Sequence, residues 1–502
     1  MELSRLLKGV ETLAVTGPVG VSVNGLCYDS RQVRAGHLFA AIRGEHLDGN
    51  EFVAAAIEAG AIAVLSERRS SSHVRPTWIQ VPSARRALAR VAANFYGHPA
   101  RALKLVGITG TNGKTTTSFL LESILLAAGE RTGLFGTIEY HTATGTLSAR
   151  QTTPESLDLQ HFLAELRDAR APWAVMEVSS HGLALDRVTG CPFAAAVFTN
   201  LARDHLDFHQ TFANYFNAKK QLFLGCGAQA PPLCILNADD PHSQELQRVA
   251  SGRVVLYSLE EDKEVAVTAR RPQLNSSGTR FTLQTPAGNV ALESPLVGRS
   301  NFSNLLAAAA TAYALEIPLH TIAAGIRALK RVPGRFERVE AGQPFSVVVD
   351  FAHTDLAFAN LLQTARELTP GRVILVFGCG GDRDRTKRPV MGEIAGRAAD
   401  KVVLTTDNPR SEDPARIIND IVVGVQKAAG DYTIEVDRER AFEKAFAGAA
   451  EGDMVLLAGK GHQDTQVYRD HVEPWSDVEV ARRVLTRCGF ARAQTAGSNA
   501  RS

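Results

Sequence analysis

Cysteine is scarce in this 502-residue chain, and the six present (Cys27, Cys191, Cys226, Cys234, Cys379, Cys488) lie far apart with no Cys-x-x-Cys pair. Such spacing argues against both a disulfide framework and a zinc site and fits a reducing cytoplasm. Net charge is nearly absent too: 55 basic against 53 acidic residues leave +2, too weak a field to draw nucleic acid. There is no clean apolar run. Met1 to Val15 mixes Glu2, Arg5, Lys8 and Glu11 into its apolar residues, unlike a signal peptide. Ala307 to Ile326 carries Glu316 and His320 and is broken by Pro318, so a buried helix is expected there and no membrane segment anywhere.

What the chain does have is length and apolar content, 45% hydrophobic residues over more positions than one core can serve. Three domains are expected: 1–100, 101–337 and 338–490, followed by a disordered tail, 491–502. In the first, Val21 to Cys27 and Ala61 to Leu65 resemble strands and Phe52 to Glu58 a helix. From Leu103 onward the pattern is apolar strand, polar or Gly-rich turn, then helix: Leu103 to Ile108, Trp173 to Val178 and Ala194 to Thr199 each end abruptly in polar residues. That is the rhythm of a parallel α/β sheet. Residues 253–297, shorter and rich in Thr and Val, suggest an antiparallel insertion, with an Ala-rich helix from Asn301. Four further runs, Phe345 to Val349, Val373 to Phe377, Val402 to Thr405 and Met454 to Leu457, point to a second doubly wound α/β unit, Rossmann-like in kind.

The turn between the first of these strands and the helix Thr115 to Ala128 reads Gly110-Thr111-Asn112-Gly113-Lys114-Thr115. Glycines let backbone N–H groups converge on phosphate oxygens, Lys114 supplies a point charge, and the Thr115 hydroxyl can ligate Mg²⁺. The loop is a variant, since Ile108 stands where the usual pattern has its first Gly. Ligands of open parallel sheets bind at the carboxyl ends of strands. Glu177 closes one strand there, a carboxylate in an apolar run that is costly to bury unless paired or metal-bound. His205 follows another. Together these groups could hold Mg-ATP.

The motifs Gly110 to Thr116, Thr152-Thr153-Pro154, Glu177 to Gly182, Asn200 to His209, Phe216 to Lys219, Asn301 to Asn304, Gly334 to Glu337, Asp350 to Thr354, Gly380 to Arg385, Asp407-Asn408-Pro409-Arg410 and Gly459 to His462 occur in order over nearly the whole chain. In this the chain resembles the Mur ligases of peptidoglycan synthesis, most closely the MurE branch. The resemblance implies three domains, the central one a P-loop-type ATPase with a parallel sheet. It implies small-molecule substrates: ATP, UDP-MurNAc-L-Ala-D-Glu and a diamino acid, joined by a cytoplasmic enzyme expected to be a monomer. Thr115 and Glu177 would hold one Mg²⁺. His205 and Lys219, carrying a CO₂-derived carbamate, would help organise a second; without the resemblance Lys219 reads as a solvated helix lysine. Lys114, Glu177, His205 and Lys219 are thus the catalytic candidates.

Carried over in the same way, Gly110, Thr111, Asn112, Gly113, Lys114, Thr115, Thr116, Asn304, Arg335 and Asp350 would contact ATP. The uridine nucleotide would lie against Tyr28, Ser30, Glu45, His46 and Leu47, and its muramoyl-peptide against Gln151, Thr152, Thr153, Ser179 and Arg187. The amino acid would meet Arg383, Asp407, Asn408, Pro409, Arg410, Gly459 and Gln463. The Asp-Asn-Pro-Arg form resembles the diaminopimelate-adding enzymes. A planar guanidinium at Arg410, seconded by Arg383, suits the second carboxylate that lysine lacks. Two positions depart from the family: Gln463 replaces a glutamate, leaving an amide that can accept a hydrogen bond but carries no charge, and Asp355 replaces the proline that usually follows His353-Thr354. Lysine-adding relatives, MurF, folylpolyglutamate synthetases and, in another class, a P-loop ATPase switch are the competing readings.

Overall fold

The computed structural model describes residues 1–44, 47–70 and 76–490. Glu45, His46 and the tail 491–502 lie outside the described residues. The chain builds three α/β units in sequence, as expected.

The first unit is a five-stranded sheet in the order Ala14–Thr16, Thr77–Gln80, Ala63–Ser66, His37–Ala40, Gly25–Cys27, parallel except for its first pair. The helix Ala84–Phe95, capped by the Ser83 hydroxyl, covers one face. Three of these strands were not foreseen. At three or four residues each, they are too short to display a period.

The second unit centres on Lys104–Thr109, which lies between Trp173–Glu177 and Phe193–Phe198, all parallel. Its residues from Leu105 on are buried, so the run is apolar without alternation, as a strand covered on both faces must be. The helix Lys114–Ala127 follows, packed against Arg299–Ala314 and Leu319–Ala328. The approach is close: a Cβ on Gly325 would sit 2.4 Å from the Ile124 Cα, so only glycine fits.

The expected antiparallel insertion is instead an extension of this sheet. Arg253–Ser258 pairs parallel with Leu233–Asn237, and the antiparallel strands Val267–Asn275, Gly278–Thr285 and Gly288–Ser294 continue the same ladder to eleven strands. Their polar alternation arises because one face packs on the Ala-rich helix while the other meets solvent.

The third unit is a six-stranded sheet in the order Glu337–Arg338, Ser346–Asp350, Met454–Ala458, Val373–Phe377, Lys401–Leu404, Tyr432–Ile434, parallel except at its first strand. Phe358, Met391 and Ile421 bring helices onto one face and Phe442 and Val484 onto the other, the doubly wound arrangement expected from the four apolar runs.

Within that unit a fully buried ion pair joins Arg438 Nη2 to Asp477 Oδ2 at 2.7 Å. The guanidinium also donates to the carbonyl oxygens of Thr406 and Ala458, and Trp475 Nε1 donates to the same carboxylate. Those carbonyls stand where two strands hand over to the loops 405–410 and 459–463, so the pair fixes where both loops begin. Removing one partner of a buried pair leaves an uncompensated charge. Asp477→Ala should therefore cost about 3–5 kcal/mol, measured as a fall in the urea midpoint; an unchanged midpoint would show that Arg438 is satisfied without Asp477.

Candidate active site

The carboxyl ends of both parallel sheets open on one cleft of about 1100 Å³, with the first unit closing a third side through Tyr28, Arg43, Gly44, Glu67 and Arg85. At its centre lies the loop between Lys104–Thr109 and Lys114–Ala127. Gly113 has φ +89 and caps the helix in a left-handed conformation, and a Cβ there would meet Asn304 Oδ1 at 2.3 Å. A Cβ on Gly110 would meet Thr199 Oγ1 at 1.9 Å. The loop is thus pressed against its neighbours at both glycines and turns its backbone toward the cleft. Lys114 Nζ donates to the carbonyls of Gly110 and Thr111 at 3.0 and 2.9 Å, and burial, partly offset by Glu177 and Asp204, lowers its pKa. A phosphate anion would offer this ammonium a better partner than two neutral carbonyls.

Glu177 is fully buried at the end of its strand. Its Oε2 accepts from the hydroxyls of Thr115 at 3.1 Å and Thr137 at 2.9 Å, and its Oε1 from the Thr137 N–H at 2.8 Å. Two oxygens bound to one Mg²⁺ at adjacent octahedral positions lie about 2.9 Å apart, so Thr115 and Glu177 are spaced to share an ion. Among the described residues no three His, Cys, Asp or Glu side chains converge on a point. Mg²⁺ beside a nucleotide usually takes one or two protein oxygens and completes its shell with water and phosphate, an arrangement that two such oxygens suit. Arg335 Nη2 donates to Thr115 Oγ1 at 3.2 Å and its guanidinium lies over the Phe351 ring. Asp350, whose pKa is raised by burial, fixes the adjoining backbone through the N–H groups of Phe336 and Ala352.

Lys219 lies behind the loop, 1% exposed, with Nζ donating to the Gly110 carbonyl at 2.7 Å and resting on the Tyr215 ring. Burial, then Lys114, push its pKa well below the ordinary lysine value. This contradicts the solvated lysine that the bare sequence suggested. His205 has φ +53, and its ring stands edge-on to His181 with centroids 4.7 Å apart. Burial pushes its pKa down to about 3 despite Asp204, leaving a neutral imidazole suited to a metal or a hydrogen bond.

On the side of the first unit, Arg187 Nη1 donates to the Thr153 carbonyl at 3.2 Å, while Arg85 Nη1 pairs with Glu155 at 2.8 Å. The Arg187 Nε stands 3.5 Å from Glu155 Oε2, an ion pair without hydrogen-bond geometry. Tyr28 reaches the cleft and donates to Asp158 at 2.6 Å; Gln151, Thr152 and Ser179 line it too. Thr153 does not. It is fully buried, its hydroxyl donating to the Glu177 carbonyl and accepting from the Ser179 N–H, so it shapes the wall from behind. Ser30, in the short turn Ser30–Gln32, and Leu47 also stand outside the lining.

On the opposite side Arg383, Asp407, Asn408, Arg410, Gly459 and Gln463 line the cleft, with Pro409 behind them. Arg410 has φ +51 and donates to the Gly381 carbonyl at 2.7 Å. A Cβ on Gly380 would touch Arg410 Nη1 at 3.0 Å and Arg383 Cγ at 3.8 Å, so the two cationic side chains flank one glycine.

Residues 22–96, 108–312 and 334–461 match, in that order, the family models described as the Mur ligase family catalytic domain, the Mur ligase middle domain and the Mur ligase glutamate ligase domain. Over 98% of its length the chain is 48% identical to the whole of the UDP-N-acetylmuramoyl-L-alanyl-D-glutamate–2,6-diaminopimelate ligase of Solibacter usitatus. The chain belongs to the Mur ligase family. The equivalent ligase of Bacillus licheniformis is 44% identical over 97% of this chain and 99% of its own. A solved structure of a ligase of that name superposes with a TM-score of 0.67 at 30% identity, covering 97% of this chain and 99% of the other. MurF of Thermotoga maritima in complex with ADP, at 18% identity and a TM-score of 0.61, covers 93% and 97% and shares the fold.

Several cleft residues of this Mur ligase escaped the sequence reading. Thr137 follows the strand Thr132–Phe135, so the carboxyl-edge rule that singled out Glu177 reaches it once that four-residue strand is recognised. Gly136 is its counterpart, since a Cβ there would lie 2.5 Å from Glu177 Oε1. Arg203 donates to Thr386 Oγ1 at 3.2 Å across the two larger units, and Lys387 to the His353 carbonyl at 2.9 Å. No local signal marks these two. At the loop itself, Gly113→Ala should cost about 1–2 kcal/mol from its left-handed backbone and displace Asn304. Mg-ADP affinity by titration calorimetry should fall about tenfold or more; an unchanged affinity would remove Gly113 from the nucleotide site.

Proposed function

We infer that this protein joins meso-2,6-diaminopimelate to the γ-carboxylate of D-Glu in UDP-MurNAc-L-Ala-D-Glu, with ATP becoming ADP and phosphate. It is an ATP-dependent ligase, and its relatives along the whole chain carry that reaction in their names. The observation that carries the reading is one cleft reaching from the phosphate loop to Arg187 on one side and to Arg383 and Arg410 on the other. Three substrates that must meet need such a common space.

A carboxylate is a poor acyl donor. Transfer of the γ-phosphoryl group to its oxygen gives an acyl phosphate and ADP. The amine lone pair then attacks the acyl carbon, the nitrogen gives up a proton to the departing phosphate or to water, and the tetrahedral intermediate collapses as the C–O bond breaks and phosphate leaves with the electron pair. Lys114 offsets charge building on the transferring phosphoryl group, and the Arg187 guanidinium, which lines the cleft, can align the acceptor carboxylate. Arg383 and Arg410 hold the far carboxylate of the diamino acid so that its reacting amine faces the acyl carbon. Mg²⁺, held by Thr115 and Glu177, would supply further positive charge to the phosphates.

We assign to Lys219 a carbamate formed when its amine adds CO₂ and loses a proton. Burial beside Lys114 favours the unprotonated amine that this addition requires, and the adduct turns a cation into an anionic oxygen ligand. Among the described residues no helix is long and apolar enough to cross a membrane, and all six cysteines are free thiols, as a reducing compartment would keep them.

Purified protein given Mg-ATP and UDP-MurNAc-dipeptide should release phosphate and form tripeptide with meso-diaminopimelate and far less with lysine. Phosphate release that ignores the amino acid would favour a nucleotide switch, and equal use of lysine would remove Arg410 from selection. Lys219→Ala should lose activity and regain part of it with small carboxylic acids; full activity in the plain variant would exclude the carbamate.

A further inference from the structure

Asn408, Lys460 and Gln463 form a hydrogen-bond chain whose direction is fixed by chemistry. Lys460, fully buried, donates from Nζ to Asn408 Oδ1 at 2.9 Å and to the Thr465 carbonyl at 2.8 Å. The Val467 N–H donates to the same Asn408 oxygen at 2.9 Å. An ammonium and a backbone N–H can only donate, so the Asn408 atom facing them must be its oxygen and the atom facing Gln463 its nitrogen. That nitrogen donates to Gln463 Oε1 at 2.9 Å. The oxygen of the Gln463 amide is therefore turned toward Asn408 and has one of its two lone pairs engaged inside the protein. Its Nε2 has no hydrogen-bond partner among the described residues, and the side chain lines the same cleft as Arg383 and Arg410.

We propose that Gln463 is a specificity-determining residue that shows the amino-acid substrate an amide N–H₂ donor, so that this corner selects the substrate's second carboxylate and places no anion against its second ammonium. The proposal rests on the diaminopimelate reading and deepens it. The bare sequence allowed Gln463 to act as an acceptor; the Asn408 contact turns that oxygen toward the protein and leaves the N–H₂ end without a partner. Asp407, the carboxylate in this corner, accepts the Asn408 N–H at 2.5 Å and faces the cations of Lys460 and Arg438, so its charge already serves the protein. Donors from Arg383, Arg410 and Gln463 then converge on one end of the substrate, a set matched to a carboxylate and indifferent to a neighbouring amine.

The test compares KM for meso-diaminopimelate with KM for 2-aminoheptanedioate, the same dicarboxylate with its second amine replaced by hydrogen. Product is followed by mass, with ATP and nucleotide substrate saturating. The unsubstituted enzyme should use both with KM values within about threefold. Gln463→Glu puts a charged oxygen where Nε2 stands and should shift the KM ratio about tenfold in favour of diaminopimelate. Asn408→Asp offers Gln463 an acceptor instead of a donor, turns its amide over, and should shift the ratio the same way by less. Neither shift is expected if the three residues only support the loop. A preference of about thirtyfold or more for diaminopimelate in the unsubstituted enzyme, or a ratio unmoved by Gln463→Glu, overturns the proposal while leaving the ligase reading intact. No amide product with either amino acid overturns both.

Discussion

A carboxylate with no exposure to solvent stands at the end of the strand Trp173–Glu177, and much of the site follows from the need to compensate it. Burying an ionised carboxylate without partners costs several kcal/mol. Glu177 answers with three donors, two from Thr137 and one from Thr115, and these bonds tie the strand Thr132–Phe135 and the first turn of the phosphate-loop helix to the same point. Thr153 locks the Glu177 carbonyl from the other side. The metal-ready oxygen pair, the helix that carries Lys114 and the wall that carries Thr152 and Ser179 are thereby positioned by one group.

The second constraint is topological. Parallel sheets send all their carboxyl ends to one edge. With two such edges facing a common cleft, side chains separated by hundreds of residues become neighbours: Arg335 reaches Thr115, and Arg203 reaches Thr386. Charge is distributed accordingly. Lys114 on the phosphate loop and Lys219 behind it both have lowered pKa values, burial being the larger cause in each, and Lys114 lowers that of Lys219 further. The guanidiniums of Arg383 and Arg410 instead flank Gly380 at the far wall. Anionic groups entering from either side meet an excess of donors.

Local chemistry made the phosphate loop, Glu177 and the four strands of the last unit legible in advance, because glycine placement, a charge in an apolar run and continuous burial each leave a mark within a few residues. The short strands of the first unit left none. The Thr- and Val-rich segment 253–297 showed the right element type but the wrong affiliation, since alternation reports which face is wet and not which sheet a strand joins. Lys219 reads as a helix lysine like any other until the fold places it under Gly110. For Gln463 the residue type showed an uncharged amide able to accept; which way that amide points is set by Asn408, itself oriented by Lys460 and the Val467 N–H.

The sequence by itself determined the order of elements, the loop able to cradle phosphate and the family to which the chain belongs, all of which depend on residue type and near spacing. Tertiary structure alone decided which carboxylate is fully buried, which lysine is driven from its ordinary pKa, and which end of an amide is engaged within the protein. Those properties depend on desolvation and on the direction of hydrogen bonds between residues distant in the chain. Both exist only once the sheets have brought those residues together.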